Sequence, residues 1–185
     1  MLQCWRQAGL DLLKEKKIEF ENGLTVDEVV QIEKIYGIVF PMSLRDFLMT
    51  ALPVSKGFYN WRNREQGNVE YIKNMINQPI RYIMDMPEEV YWCEDWGEEP
   101  KDEDNFKSEV RKRLKMAPKL VPVYSHRYIP MLSSENVPII SVHGVDIIYY
   151  GEDIEDYFKV EFGDKEQNAI NFENIKPIPF WTDIM

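Results

Sequence analysis

Two groupings of side chains have types and spacing that could do chemistry. The first is Tyr124-Ser125-His126-Arg127-Tyr128, a polar and aromatic cluster at the end of a strand-like run. An imidazole can hydrogen-bond through both ring nitrogens. His126 is therefore a candidate for function, against the alternative of a satisfied structural cluster. The second is Tyr91-Trp92-Cys93-Glu94-Asp95-Trp96-Gly97-Glu98-Glu99, two tryptophans threaded with four carboxylates. Trp and Tyr are over-represented among the residues that dominate protein interfaces, and carboxylates pair with Arg or Lys on a partner. The competing reading makes Trp92 and Trp96, four residues apart, core anchors and leaves the acids in water. Phe58, Tyr59, Trp61 and Arg62 pose the same choice between lining a groove and filling the core.

Other chemistries find less support. There are two histidines, His126 and His143, and they are not at helical ligand spacing. Asp102-Glu103-Asp104 hints at a calcium loop, but no Gly falls at the sixth position and the twelfth is Arg113 rather than Glu. A solvated helix N-terminus accounts for it better. No metal ligand set and no cofactor are expected. The nucleophile elbow, the P-loop, the dinucleotide fingerprint and the zinc-protease helix are all missing. Cys93, flanked by Glu94 and Asp95, has the wrong surroundings for a nucleophilic thiolate. Carboxylates are numerous enough that some pair at glycosidase spacing is open, and for the same reason that signal is weak. A third possibility is a small-ligand pocket that uses His126, Arg127 and a carboxylate such as Asp146.

The chain has 185 residues, with 22 Lys+Arg against 32 Asp+Glu, a formal net charge of -10. The length fits one domain spanning 1-185. Hydrophobic residues make up 44% and aromatics 13%, too much apolar material for intrinsic disorder. The negative balance argues against direct nucleic-acid binding and against an anionic membrane surface as the main partner. Two cysteines without a C-x-x-C pattern suit a reducing compartment. The stretch from Met1 to Gly9 lacks a continuous apolar h-region, and no run is long enough to span a bilayer. The expected location is cytoplasmic.

Periodicity supplies the elements that must position these groups. Leu2 to Lys17 is loosely helical, with Trp5, Leu10, Leu12 and Leu13 on its apolar side. Thr25 and Glu28 form a capping box ahead of Val26, Val29, Val30 and Ile32, and Gly37 ends that helix. Ser43 is read as the N-cap of a short helix carrying Leu44, Phe47 and Leu48, which stops before Pro53. Gly57 to Asn63 is aromatic and extended. Asn68 to Ile76 is helical, with Pro79 as its limit. Pro87 starts a helical turn that runs through Trp92. Lys101 to Met116 is a helix with an acidic first turn and a basic last turn, as the helix dipole favours. Eleven of the 32 carboxylates fall between Asp85 and Glu109. Leu120 to Tyr124 is a strand that Pro122 confines to an edge or a bulge. Ile139 to Val142 and Val145 to Tyr150 form a hairpin around His143-Gly144. Asp153 caps a helix with Ile154, Tyr157, Phe158 and Phe162. Pro177 and Pro179 keep the tail extended. Helices come first and antiparallel strands later, which defines an α+β class.

Several of these pieces together resemble the SUKH superfamily, the Smi/Knr-type proteins. The first is Ile32-Glu33-x-x-Tyr36-Gly37-Ile38-x-Phe40-Pro41-x-Ser43-Leu44-Arg45-Asp46-Phe47-Leu48. The second is Trp92-x-x-x-Trp96-Gly97-x-x-Pro100. The third is Leu120-x-Pro122-Val123-Tyr124-x-His126-Arg127-Tyr128-x-Pro130. The last is Pro138 to Val142, followed by Asp146-Ile147-Ile148-Tyr149-Tyr150-Gly151. The resemblance covers about residues 25-163. The acidic segment around Glu98 to Asp104 and the tail after Gly163 depart from it. It implies a twisted, mainly antiparallel sheet packed against helices, with a helix-rich N-terminal part.

The resemblance also implies a binding module rather than an enzyme, with no catalytic residue to carry over. Bacterial members neutralise toxins, often nucleases or deaminases, by direct binding; fungal members regulate cell-wall assembly through protein interactions. The expectation is therefore a cytoplasmic immunity protein with a protein partner, a basic toxin domain being the favoured one. The alternative is a regulatory or scaffold protein linked to cell-wall synthesis. The expected contact residues are Trp92, Glu94, Asp95, Trp96, Glu98 and Glu99, with Arg127 and Tyr128 as second choices. The oligomeric state is left open.

Overall fold

The computed structural model describes residues 2-134, 136-163 and 165-185, with side chains from Gly9 onward. It is an α+β protein with six α-helices and two antiparallel sheets among the described residues. The helices are α1 (Leu2–Glu15), α2 (Val26–Tyr36), α3 (Met42–Thr50), α4 (Gln66–Asp85), α5 (Glu103–Leu114) and α6 (Ile154–Phe162). A small sheet pairs β1 (Phe20–Asn22) with β2 (Ala51–Pro53). The larger one runs in the order β3 (Leu120–Tyr124), β4 (Arg127–Pro130), β5 (Ile139–His143), β6 (Asp146–Gly151). The expected place of Trp5 on the apolar side of α1 lies outside the described side chains.

Both faces of the larger sheet are covered, which explains why β3 and β4 are apolar and buried almost throughout instead of alternating with polar residues. Val121, Ile129 and Ile139 join a core built with α1, α2, α3 and α6. Leu120, Tyr128, Ile140, Val142 and Ile147 face a second core that holds Ile83, Val110, Leu114 and the C-terminal residues Ile178, Phe180, Trp181 and Ile184. Pro122 lies on the edge strand, and the register shifts between Pro122 and Tyr124. A residue without an N–H is tolerated in both settings.

The capping box forms as the spacing predicts. Thr25 Oγ1 accepts from Glu28 N–H, and Glu28 Oε2 accepts from Thr25 N–H at 2.8 Å. Gly37 closes α2 with φ 62°. Three residues hold the turn that follows: Glu33 Oε1 accepts from Phe40 N–H at 2.9 Å, and Tyr36 and Phe40 both pack edge-on against Trp61, which is 2% exposed. Tyr59 and Trp61 are core residues. Arg62 reaches back to Glu28, Glu21 and the Asn22 carbonyl, and so ties β1 to the start of α2.

The Arg62 guanidinium, followed by the Thr25 amide, holds the Glu28 carboxyl down at about 2. A carboxylate whose folded pKa is depressed contributes stability above its unfolded value, and that contribution is lost as pH falls through the folded value. Glu28→Gln is therefore expected to cost about 1–2 kcal/mol at neutral pH, with allowance for solvent screening of a partly exposed pair. The gap between wild type and variant should close as pH falls from 4.5 toward about 2. Urea unfolding across that range measures it, and a gap independent of pH would contradict the assignment.

Four local expectations are corrected. Ser43 is not an N-cap: α3 starts at Met42 after Pro41, and Ser43 is buried with its hydroxyl unpaired. The turn at Pro87 ends at Glu89 instead of reaching Trp92, because Val90 turns inward to 4% exposure. His143 is the last residue of β5, paired with Asp146; the two-residue turn is Gly144-Val145, with Gly144 at φ 65° as a II′ hairpin requires. Finally, α4 does not stop at Pro79. It continues to Asp85 with Pro79 inside and buried. A proline there cannot donate to the Met75 carbonyl one turn back. Tyr128 Oη donates to that carbonyl at 3.2 Å and replaces the lost bond from the neighbouring strand.

Candidate functional site

The acidic and aromatic segment connects α4 to α5, and its backbone is mounted on the second core. Trp92 Nε1 donates to the Gly97 carbonyl at 2.8 Å and closes the loop on itself. Gly97 takes φ 90° and ψ -161°, a conformation essentially restricted to glycine. Trp96 Nε1 donates to Asp183 Oδ2 at 3.1 Å, and the Trp96 ring stacks on Phe180 at 5.9 Å. The two indoles meet edge to face at 5.3 Å. Arg113, from the basic last turn of α5, places its guanidinium 5.4 Å from the Trp92 ring centre and 4.9 Å from that of Trp96. Its Nη2 donates to the Trp96 carbonyl at 3.1 Å, and Glu109 pairs with its charge. Each cation–π contact of this partly exposed kind contributes about 0.5–1 kcal/mol.

Both tryptophans are half-buried. They are anchors against the core and also part of the outer surface, so the two readings of the sequence each describe one side of the ring pair. Glu94, Asp95, Glu98 and Glu99 are exposed. Ion pairs in the surrounding segment, among the described residues, run from Lys107 to Glu88 and Glu103 and from Glu109 to Lys112 and Arg113; none involves these four. Glu98 and Glu99 also line an open groove with Pro100, Lys101, Asp102 and Asn105. Asp102 caps α5 by accepting from Asn105 N–H at 2.9 Å, the solvated helix start expected of the Asp-Glu-Asp run. The site is thus an acidic loop on a fixed frame of indole, guanidinium and the Asp183 side-chain carboxylate.

Arg127 and Tyr128 are withdrawn from the expected contact set. Arg127 is 9% exposed and Tyr128 1%. Arg127 Nε donates to Glu161 Oε2 at 2.9 Å, Nη1 donates to Ser141 Oγ at 2.9 Å, and the guanidinium lies 3.7 Å from the centre of the Tyr150 ring. Tyr128 faces the second core, and burial pushes its phenol well above the usual value. Strand alternation is the physical reason: neighbouring residues of β4 point to opposite faces, and both faces of this sheet are covered. The proposed grouping of His126, Arg127 and Asp146 is corrected at its carboxylate: Arg127 does contact His126, but its carboxylate partner is Glu161 from α6, and Asp146 is an exposed hairpin residue.

His126 turns instead toward a cleft of ≈ 340 Å³ between α4 and the two turns at one end of the large sheet. Tyr71, Met75, Gln78 and Tyr82 supply the α4 wall. Their spacing is helical and readable in the sequence, but only once the helix is carried through Pro79. Arg113 and Asp183 were also missed. They lie 17 and 87 residues from Trp96, and no local pattern announces a contact at that range.

Among the described residues, no group of three or more His, Cys, Asp or Glu is placed to hold a metal ion, and no helix is long and apolar enough to cross a membrane. No family model, no curated protein and no solved structure matches this chain.

Proposed function

We propose that this chain is a non-enzymatic protein-binding module of the SUKH type, a cytoplasmic immunity protein that neutralises a basic toxin domain by direct binding. The observation that carries the reading is the set of four exposed carboxylates, Glu94, Asp95, Glu98 and Glu99, without ion-pair partners among the described residues and mounted on the Trp92, Trp96 and Arg113 frame. A loop already held in place loses little conformational freedom on binding, and this lowers the entropic cost of association. Its negative field, added to a net charge of -10, attracts a basic partner and speeds encounter. The antiparallel sheet flanked by helices, and the Glu33 and Gly37 turn that the motif residues build, support the SUKH-type assignment.

Co-expression with basic toxin domains encoded in the same genome tests the proposal. Rescue of growth by this chain, with recovery of a one-to-one complex, is the expected result. Failure to neutralise or co-purify with any of them would overturn it. In the complex, the combined variant Glu94→Gln, Asp95→Asn, Glu98→Gln and Glu99→Gln is expected to slow association about tenfold or more at low salt. It should also flatten the salt dependence and shift the melting temperature by no more than about 8 °C, since exposed substitutions usually stay within about 0.5 kcal/mol each. Stopped-flow association across a salt series measures both effects.

A further inference from the structure

The cleft against His126 differs from the rest of the surface. Its lining contains no Asp, Glu, Lys or Arg, in a chain that is 29% charged, yet it holds three tyrosines, two histidines, a glutamine and a serine. Tyr71 stacks one face on Tyr59 at 5.8 Å and 18° and remains 52% exposed, which makes it a platform with an open side. Gly144 closes over the Tyr82 ring, and Tyr82 Oη donates to Glu89 at 2.6 Å, so that wall is also held.

The exposed rim presents a fixed polar turn. Ser125 stands at φ 47°, an uncommon conformation for a residue other than glycine, and is held there by its own N–H to the Gly57 carbonyl at 2.8 Å and by Tyr59 Oη on its carbonyl. Arg127 Nη1 contacts His126 Nε2. A guanidinium can only donate, so Nε2 accepts and the imidazole proton resides on Nδ1. Burial, followed by the Arg127 charge, keeps His126 below the usual imidazole range, which favours this neutral form. Nδ1–H then donates to Ser125 Oγ, 3.2 Å away. The serine hydroxyl hydrogen is left for an acceptor in the cleft. The same tautomer removes His126 as a base for Ser125, so the pair is built for recognition and not for nucleophilic attack.

We propose that this cleft binds an uncharged, planar heteroaromatic ring of the nucleoside class, stacked on Tyr71 and read at its edge by Ser125, Gln78 and His143. The volume lies within the range of small-molecule sites. Aromatic faces favour a flat ring, and a hydroxyl, an amide and an imidazole match the mixed donors and acceptors along a base edge. An anionic phosphate finds no Lys or Arg in the lining to pair with. Nucleosides are therefore favoured over nucleotides.

The test is a titration of the full chain with adenosine, inosine, uridine and cytidine, following the His126 and His143 imidazole resonances by NMR. Adenosine 5′-monophosphate, methyl glucoside and arginine methyl ester serve as comparison ligands. At least one nucleoside is expected to give saturable shifts with millimolar or tighter affinity, and its monophosphate to bind more weakly. Tyr71→Ala, at an exposed helix position, should weaken binding about tenfold. Gln78→Ala, also exposed, should change the ranking of the bases. The proposal is overturned if no nucleoside saturates, if the sugar or the cation saturates the same shifts equally well, or if Tyr71→Ala binds as wild type. The acidic loop takes no part in this site, so failure here leaves the immunity reading standing, and the converse holds.

Discussion

Arg127→Ala is expected to destabilise the protein by about 3–5 kcal/mol, a large part of the roughly 5–15 kcal/mol that holds a typical domain folded. Arg127 bonds Glu161 and Ser141 within the core side of β4 and covers the Tyr150 ring. Removing it strands the Glu161 carboxylate, which has only 19% side-chain exposure. The cost comes from that unpaired group more than from the lost attraction. It follows that the double variant Arg127→Met, Glu161→Leu should recover most of the loss, because an apolar pair of similar volume replaces a buried ion pair at little net cost. Urea denaturation of wild type, Arg127→Ala, the single variants Arg127→Met and Glu161→Leu, and the double variant tests this. A loss under about 1 kcal/mol for Arg127→Ala would place the pair with ordinary surface ion pairs instead.

Trp181→Ala is the second large effect. Trp181 is fully buried, its Nε1 donates to the Pro118 carbonyl at 2.8 Å, and its ring meets Phe180 at 5.5 Å. Truncating a buried tryptophan costs about 3–5 kcal/mol. For a chain of this length that corresponds to roughly 6–20 °C in Tm. A specific second consequence separates this from generic destabilisation. Phe180 and Asp183, the neighbours of Trp181, hold the Trp96 ring and its indole N–H. Loosening the tail should therefore release Trp96, seen as a red-shifted and more quenchable tryptophan emission at temperatures where the helices remain folded. Trp181→Phe, which keeps most of the apolar volume, should retain the Trp96 environment while losing the Pro118 bond. Because both variants lack the Trp181 fluorophore, equal emission from Trp181→Ala and Trp181→Phe below the melting transition would show that the tail does not support the acidic loop.

Much of the secondary structure was legible because its signals are local. The Thr25 and Glu28 capping box, the Asp153 cap, the Gly37 stop and the Pro122 edge strand each depend on residues a few positions apart, and each forms. The candidate loop was legible in its composition, and four of its carboxylates are exposed. Where the expectation failed, a distant partner had intervened. Pro79 reads as a helix end unless one knows that Tyr128, on β4, supplies the missing bond to Met75. Arg127 and Tyr128 read as an accessible polar pair unless one knows that both sheet faces are covered. The tail reads as extended because of Pro177 and Pro179, yet it forms 3-10 turns at Gln167–Ala169 and Phe172–Asn174, and its Ile178, Phe180, Trp181 and Ile184 become core only against the second face of the sheet.

By itself, then, the sequence determined the α+β class, most of its helices, the β5–β6 hairpin, two of the helix caps and the acidic excess concentrated between Asp85 and Glu109, because hydrophobic period, capping geometry and charge are properties of short segments; it left the short strands β1, β2 and β4 unread. Tertiary structure alone decided which side of each tryptophan meets solvent, which charge neutralises Arg127, and that α4 runs on past Pro79 to raise a tyrosine-lined wall beside His126. Those outcomes depend on groups brought together from 17 to 87 residues apart. Burial and pairing energies at that range are set by packing, which no single segment encodes.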